Sequence, residues 1–565
     1  MNIFVQQIAD SIKECVDLEK EQIESLIEIP PDSKMGDYAF PCFQLSKTMR
    51  KAPNAIAAEL APKIQKTESI ERVEAAGGYL NFYMNKLYLS KTVLEEVLKK
   101  GYSYGSSSIG QGKNIVIDFS ATNIAKPFHI GHLPSTVIGN SLYKIYQFLG
   151  YNCVGVNHLG DWGTQFGKLI VAYKKWGDKE IVEKDPIREL VKLYVKFHQD
   201  AEKNPSLEDE GRAAFKAIED GQEEYVQLWK WFTEVSLEEF NRVYGILNIS
   251  FDSYAGESFY NDKMEPVLKE LEDKKLLIES QGAKVVDLES YGMPPCIVQR
   301  SDGASLYATR DLAAMFYRKN TYSFDKVLYV VALQQNLHFK QLFKVIELMG
   351  HEWHKDLVHV NFGMVSLETG AMSTRKGNVV YLETVLNEAV EKVSKIIEER
   401  NFDTEQKEEV AKKVGVGAVI FSALANGRIK DVVFSYEKIL NFEGETCPYI
   451  QYTFARICSI FRKAENNAVL EVDYSLLNDE NSIQVITLLG KFQEVVTSAA
   501  EKYEPSFISR YLIDLSQAFN KFYYFNPILS EEENLKNARL AVCKATKDVI
   551  ETGMGLLGIE CPERM

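Results

Sequence analysis

Residues 115–156 place the tightest limit on what this chain can fold into. Ile115-Val116-Ile117 is a compact apolar run of the kind a parallel sheet buries on both faces, and a helix follows whose core face is Ile138, Leu142, Ile145 and Leu149. Pro134 is tolerated in the first turn of that helix, and Gly150 is placed to end it. Cys153-Val154-Gly155-Val156 supplies the next strand and completes a β-α-β unit. Such alternation implies an α/β domain built on a doubly wound parallel sheet, with ligands held at the carboxyl ends of its strands.

At 565 residues the chain exceeds what a single hydrophobic core serves, so three domains are expected. Before about Gly110 the pattern is that of a small α/β module. Ile56, Leu60 and Ile64 repeat at helical spacing after Pro53, and Leu80, Phe82 and Met84 alternate with Tyr79, Asn81 and Tyr83. Gly101 to Gly112 is rich in Gly and Ser and is expected to be a linker. From about Lys174 to Asn248 the chain is charged and helical, with Leu190, Leu193, Tyr194 and Phe197 on one face, which predicts an insertion into the sheet domain. Strands resume at Lys326-Val327-Leu328-Tyr329-Val330-Val331 and Val358-His359-Val360. After Leu382 almost everything is helical, with an apolar stripe of Phe454, Ile457, Ile460 and Phe461 pointing to a bundle.

Composition removes several function classes. No segment approaches ~18 uncharged apolar residues, and the N-terminus lacks the pattern of a secretory signal, so a cytoplasmic protein is expected. The eight cysteines form no Cys-x-x-Cys pair, and His351, His354 and His359 have no accompanying cysteine or close carboxylate set, so no protein-bound metal is expected. A net charge of −15 argues against non-specific coating of nucleic acid; any RNA partner must meet local basic patches.

Two short runs carry chemistry. His129-Ile130-Gly131-His132 lies between strand and helix, and Met372-Ser373-Thr374-Arg375-Lys376-Gly377-Asn378 lies far downstream. Together they resemble the two signatures of the class I aminoacyl-tRNA synthetases. That resemblance implies a Rossmann-like domain that clamps the phosphates of ATP while a carboxylate attacks the α-phosphorus, a reaction that needs positioning and fixed positive groups more than covalent help. His129 and His132, three apart at a helix start, can both face the phosphates, and Gly131 leaves room for the adenine ring. Met372, Ser373, Arg375 and Lys376 join them as ATP contacts, and magnesium accompanies the nucleotide. The downstream run departs from the class pattern Lys-Met-Ser-Lys-Ser, because Ala371 stands for its first lysine and Thr374 for its second. Lys376 and Lys126 are the candidate replacements; the plain alternative for Lys126 is a solvated surface lysine.

The surrounding residues resemble the arginyl family in particular. A guanidinium offers five donors in a plane and no acceptor, so its pocket needs carboxylate or amide oxygens and an aromatic or hydroxyl wall. Tyr307 and Asp311 are four apart on a presumed helix, Gln335 follows a strand, and Asp118 and Asn123 follow Ile117. All five match positions at which that family binds its amino acid: Asn123 and Asp118, beside His129, near the α-amino group and carboxylate, and Tyr307, Asp311 and Gln335 around the side chain. The alternative for Asp311 is a surface salt bridge to Arg310 or Arg318. The loop Asn157 to Gly167, with its three glycines, also resembles the arginyl pattern.

By the same resemblance Tyr449, Tyr452 and Arg456 lie on a helix of an anticodon-binding domain, where aromatic stacking and a guanidinium suit unstacked bases. Packing within the bundle is the rival reading for Tyr452, and Phe522, Tyr523, Tyr524 and Phe525 are expected to be core. The family fold then implies a tRNA-contacting α/β domain over residues 1–110, a catalytic domain over 111–382 with an insertion at about 174–290, and an all-α anticodon-binding bundle over 383–565. The implied activity is ligation of L-arginine to its tRNA by a monomer that activates arginine only with tRNA bound. A class I ligase for another amino acid and a catalytically silent RNA-binding regulator are the two rivals; intact His129, His132 and Lys126 speak against the second.

Overall fold

The computed structural model describes residues 3–30, 32, 35–300, 307–367, 380–399, 406–464 and 471–565. At its centre is a four-stranded parallel sheet. Strand Asn114–Asp118 lies in the middle, with Asn152–Val156 on one side and Lys326–Tyr329, then Leu357–His359, on the other. Ile115, Val116 and Ile117 are wholly buried, as a strand covered on both faces requires. Chain order departs in opposite directions from Asn114–Asp118, so a crevice opens at its carboxyl end, the switch point at which such sheets hold ligands. Asp118 and Tyr329 are paired in register at that edge.

Helix Leu133–Phe148 crosses one face of the sheet, and Ile138, Leu142, Ile145 and Leu149 are all buried, matching the spacing. Its other side is buried too. Helix Lys407–Leu424 and the C-terminal helices pack against it, with Ser141 Oγ donating to the Leu556 carbonyl at 2.9 Å and Tyr146 Oη to that of Ala500 at 2.9 Å. The helix behind the first signature is therefore clamped between the sheet and the C-terminal bundle.

The insertion is helical from Thr164–Trp176 through Glu223–Ile246. Helices Thr164–Trp176 and Ser206–Glu219 approach so closely that a Cβ at Gly167 would lie 2.1 Å from the Gly211 carbonyl oxygen, which only glycine permits. A small antiparallel sheet, Leu277–Ser280, Ala283–Val286 and Cys296–Gln299, follows. Its four-residue strands are too short for periodicity to separate from loop, and the sequence did not reveal them. The N-terminal module is an antiparallel sheet ordered Tyr38–Pro41, Tyr79–Met84, Ile70–Ala76 with helices against it.

Two expectations need correction. The Gly/Ser stretch after residue 100 is docked rather than free: Tyr104 is buried, stacks on Phe492 and donates to the Leu489 carbonyl at 3.0 Å. Phe522 is core, but Tyr523, Tyr524 and Phe525 are exposed, Tyr524 by 80%. Phe522 and Asn526, four positions apart, face inward and are buried, and the three residues between them occupy the outward side of helix Ser506–Phe525.

Candidate active site

His129 ends an extended segment and Ile130–His132 form a 3-10 turn that enters helix Leu133–Phe148. The turn fixes both rings. His129 Nδ1 accepts from the Gly131 N–H at 3.1 Å, His132 Nδ1 accepts from the His129 N–H at 3.2 Å, and the ring centroids are 4.0 Å apart. A neutral imidazole has one acceptor and one donor nitrogen, so each Nε2 carries its proton. Burial pushes the His129 imidazole down. It pushes His132 down to about 3, helped by the neighbouring His129 and Lys126. The pair therefore offers neutral donors at physiological pH.

The chain that follows the downstream signature returns beside these rings. The Ile130 N–H donates to the Val380 carbonyl at 3.2 Å, the Leu382 N–H to that of Phe128 at 2.9 Å, and His129 bridges Tyr381. Met372, Ser373, Arg375 and Lys376 themselves lie outside the described residues.

Between Asp118 and His129 the backbone is strained, with Ser120, Ala121 and Ala125 all left-handed at φ +71°, +49° and +56°. Such conformations persist where surroundings over-determine them. Here a buried hydroxyl network does so: Ser120 Oγ meets Thr136 Oγ1 at 2.8 Å and Tyr244 Oη at 2.7 Å, Asn157 Nδ2 donates to the same phenol at 3.0 Å, and the Ser120 N–H donates to Ser135 Oγ at 2.9 Å. Lys126 follows Ala125 and lines a cavity of about 290 Å³ with Trp162, Lys168 and Tyr194. It is half-buried, not a fully solvated surface lysine.

Beside it, at the sheet's carboxyl edge, lies a larger cavity of about 440 Å³. Asp118, Asn123, Tyr307, Asp311 and Gln335 all line it, brought together from three separate stretches of sequence. Asp118 Oδ2 pairs with the buried Arg318 at 2.8 Å, while its Oδ1 accepts no hydrogen bond among the described residues. A buried acceptor left open in a cavity wall is available to a ligand's donor. Asn123 is held by the glycine-rich loop: Ile124 N–H donates to the Gly160 carbonyl at 3.1 Å, Gly160 N–H to that of Thr122 at 3.0 Å, and a Cβ on Gly160 would sit 2.4 Å from Asn123 Oδ1. Tyr307 opens helix Tyr307–Tyr322, is 64% exposed, and forms part of the wall of both cavities.

Neither salt bridge considered for Asp311 is the one it makes. Arg318 turns to Asp118, and Arg310 lies 3.5 Å from Glu257. Asp311 instead accepts from His338 Nε2 at 2.6 Å, with His158 Nε2 at 3.8 Å. Burial raises its pKa, but the His338 hydrogen bond and the nearby His338, His158 and Arg318 outweigh burial and leave it below the ordinary value. It stays ionised.

His158, Glu257 and His338 also line the cavity and were missed as site residues. His158 stood inside the glycine-rich loop already singled out, and His338 one turn past Gln335, so spacing offered a weak signal for both. Nothing local marked Glu257. Its Oε2 accepts no hydrogen bond among the described residues, and burial, with Asp311 and Asp161 nearby, pushes the carboxyl up to about 7 although Arg310 opposes this. Asp161 fixes the segment by accepting from Ser258 N–H at 2.8 Å and Ser258 Oγ at 2.6 Å.

On helix Cys447–Lys463, Tyr449, Tyr452 and Arg456 do share one face. Tyr449 Oη accepts from Asn520 Nδ2 at 2.9 Å, Arg456 donates to Asn520 Oδ1, and its guanidinium lies over the rings of Tyr452 at 4.9 Å and Tyr523 at 5.2 Å. The exposed Tyr524 and Phe525 continue from Tyr523. Of the three downstream histidines, His351 bonds Glu270 at 2.8 Å and His359 the Val331 carbonyl at 2.9 Å.

A parallel sheet with paired histidines at a helix start and a polar-lined cavity at its switch point, joined to a helical C-terminal domain, is the arrangement of a class I aminoacyl-tRNA synthetase. Residues 93–436 match the family profile "tRNA synthetases class I (R), catalytic domain", 450–565 the "DALR anticodon binding domain" and 2–84 the "Arginyl tRNA synthetase N terminal domain". The chain is 56% identical over 566 residues to an arginine–tRNA ligase of Clostridioides difficile and 55% identical to one of Alkaliphilus metalliredigens, each covering 100% of both chains. The crystal structure of arginyl-tRNA synthetase from Plasmodium falciparum superposes with a TM-score of 0.83 at 26% identity, covering 99% of this chain and 98% of that one. The chain belongs to the arginyl-tRNA synthetases, enzymes that join arginine to tRNA through an adenylate at the expense of ATP.

Proposed function

We propose that the 440 Å³ cavity binds L-arginine and that the surfaces around His129 and Lys126 bind ATP, so that the chain forms arginyl-adenylate there and passes the arginyl group to tRNA. The convergence of Asp118, Asn123, Tyr307, Asp311 and Gln335 on one cavity carries this reading. Asp118 Oδ1 and Asn123 take the α-amino and carboxylate groups, with His129 adjoining. Asp311, Gln335 and Tyr307 surround the guanidinium, whose donors need anionic and amide acceptors.

The substrate carboxylate then attacks the α-phosphorus and pyrophosphate departs. Nε2–H donors of His129 and His132 hold oxygens whose charge grows, while Gly131 leaves room for the base. Because both imidazoles are neutral, positive charge comes from Lys126, Lys376 and the magnesium that enters with ATP. Met372, Ser373 and Arg375 complete the nucleotide's contacts.

Tyr307 is exposed at the rim of the arginine cavity, and the family resemblance implies that arginine is activated only with tRNA bound. Arginine-dependent ATP–pyrophosphate exchange is therefore expected with tRNA present and close to background without it, and a mixture of the other amino acids should drive none. Full exchange without tRNA would remove the coupling, and exchange driven by lysine instead of arginine would reassign the pocket. The enzyme works as a cytoplasmic monomer.

Tyr449, Tyr452 and Arg456, extended by Tyr523, Tyr524 and Phe525, form the surface for unstacked tRNA bases. Since each base stacked on an aromatic ring contributes about 1–3 kcal/mol, the double change Tyr524→Ser and Phe525→Ser should raise KM for tRNA about tenfold or more. Arginine KM and the unfolding midpoint should not move, because both side chains are exposed. An unchanged tRNA KM would place the RNA elsewhere.

A further inference from the structure

The carboxylate of Asp311 has a histidine on each side, His338 in a 2.6 Å hydrogen bond and His158 at 3.8 Å. His338 comes from the first turn of helix Asn336–Leu348, and His158 from the loop after strand Asn152–Val156. The proton on His158 is placed by its other neighbour. His158 Nδ1 lies 3.5 Å from an Arg318 guanidinium nitrogen, and a guanidinium only donates, so Nδ1 accepts and Nε2–H faces Asp311. Arg318 also pairs with Asp118 at 2.8 Å, so one polar chain crosses the cavity from Asp118 through Arg318, His158 and Asp311 to His338. The ionised Asp311 only accepts, so at 2.6 Å the donor is His338 Nε2–H.

We propose that His338 is a positioning residue for arginine: its Nε2–H fixes one oxygen of Asp311 and leaves the remaining lone pairs facing the cavity. This rests on Asp311 being the guanidinium's partner. Arg318 faces the pair as a fixed charge. His359 on the far side is pushed down by burial. Tyr329 lies beneath with its phenol pushed up by burial. Burial pushes the Glu257 carboxyl in the same wall up to about 7, so arginine KM is compared between variants at a single pH above that.

The test is steady-state aminoacylation with saturating tRNA and ATP, giving arginine KM and kcat separately. His338→Leu, with no donor, should raise arginine KM about tenfold with kcat changing less, the scale of a lost hydrogen bond to a charged group. His338→Gln, which keeps an N–H within reach of Asp311, should recover most of that KM. A native KM in His338→Leu, or a KM in His338→Gln raised as far as in His338→Leu, overturns the proposal. Asp311→Asn distinguishes the two levels: a raised KM there with a native KM in His338→Leu sinks only the role of His338, whereas a native KM in Asp311→Asn sinks the pocket and this inference together.

Discussion

Asp311→Asn is expected to lower kcat/KM for arginine about a thousandfold, because leaving a buried cation without its charged partner costs roughly 2–5 kcal/mol or more. ATP affinity should stay within about twofold, since the nucleotide contacts are proposed on the other side of Asn123. The isosteric amide keeps an oxygen for His338 to donate to, so the fold is not at stake and the loss reads as recognition. A neutral ureido analogue of arginine provides the converse check: it lacks the charge that Asp311 answers, so it should bind the variant about as well as the native enzyme. A native arginine KM in Asp311→Asn would mean that the acidic group serving the guanidinium lies elsewhere, with Glu257 the next carboxyl in the same wall.

Much of the architecture was legible because local pattern and global packing agree. Ile115-Val116-Ile117 and the face Ile138, Leu142, Ile145 and Leu149 state their burial directly. Asp118 and Gln335 were legible as cavity residues because strand ends in a doubly wound sheet point at ligands. What spacing could not carry is the identity of partners across the fold. Arg318 lies two turns from Asp311 on one helix and reads as its mate, yet it reaches the neighbouring strand and answers Asp118. Asp311 takes its partners, His158 and His338, from segments 153 and 27 positions away. The left-handed Ser120, Ala121 and Ala125 gave no sign either, since none is glycine and their support comes from Tyr244 and Asn157, far along the chain. Tyr523, Tyr524 and Phe525 look like core by composition, and only the side of the helix they occupy, between the buried Phe522 and Asn526, decides that they protrude.

Lys126 carries the other large expected effect. The phosphates of ATP bring several negative charges to a site whose two histidines are neutral, with His132 pushed down to about 3 by burial. Their Nε2–H groups can place oxygens but cannot neutralise the departing pyrophosphate. Ala371 and Thr374 stand where the class pattern has lysines, so the missing ammonium must come from another position. Lys126 sits three residues before His129, its backbone set by the left-handed Ala125 and by donation from its own N–H to the Asn123 carbonyl at 3.3 Å. Its charge is close enough to contribute to the depression of His132 and to oppose the rise of Glu257. If it meets charge that develops only as the bond to pyrophosphate breaks, Lys126→Ala should slow single-turnover adenylate formation about 10²–10³-fold, the scale seen when one preorganised donor to a transition state is removed. Equilibrium ATP affinity, measured with tRNA bound, should fall far less, by about threefold, since the ground-state nucleotide keeps its other contacts. Lys126→Arg should recover part of the rate, because it restores the charge but not the compact geometry of an ammonium. Equal turnover in Lys126→Ala, or a loss confined to ATP affinity, would remove Lys126 from the transition state and leave Lys376 to supply the charge.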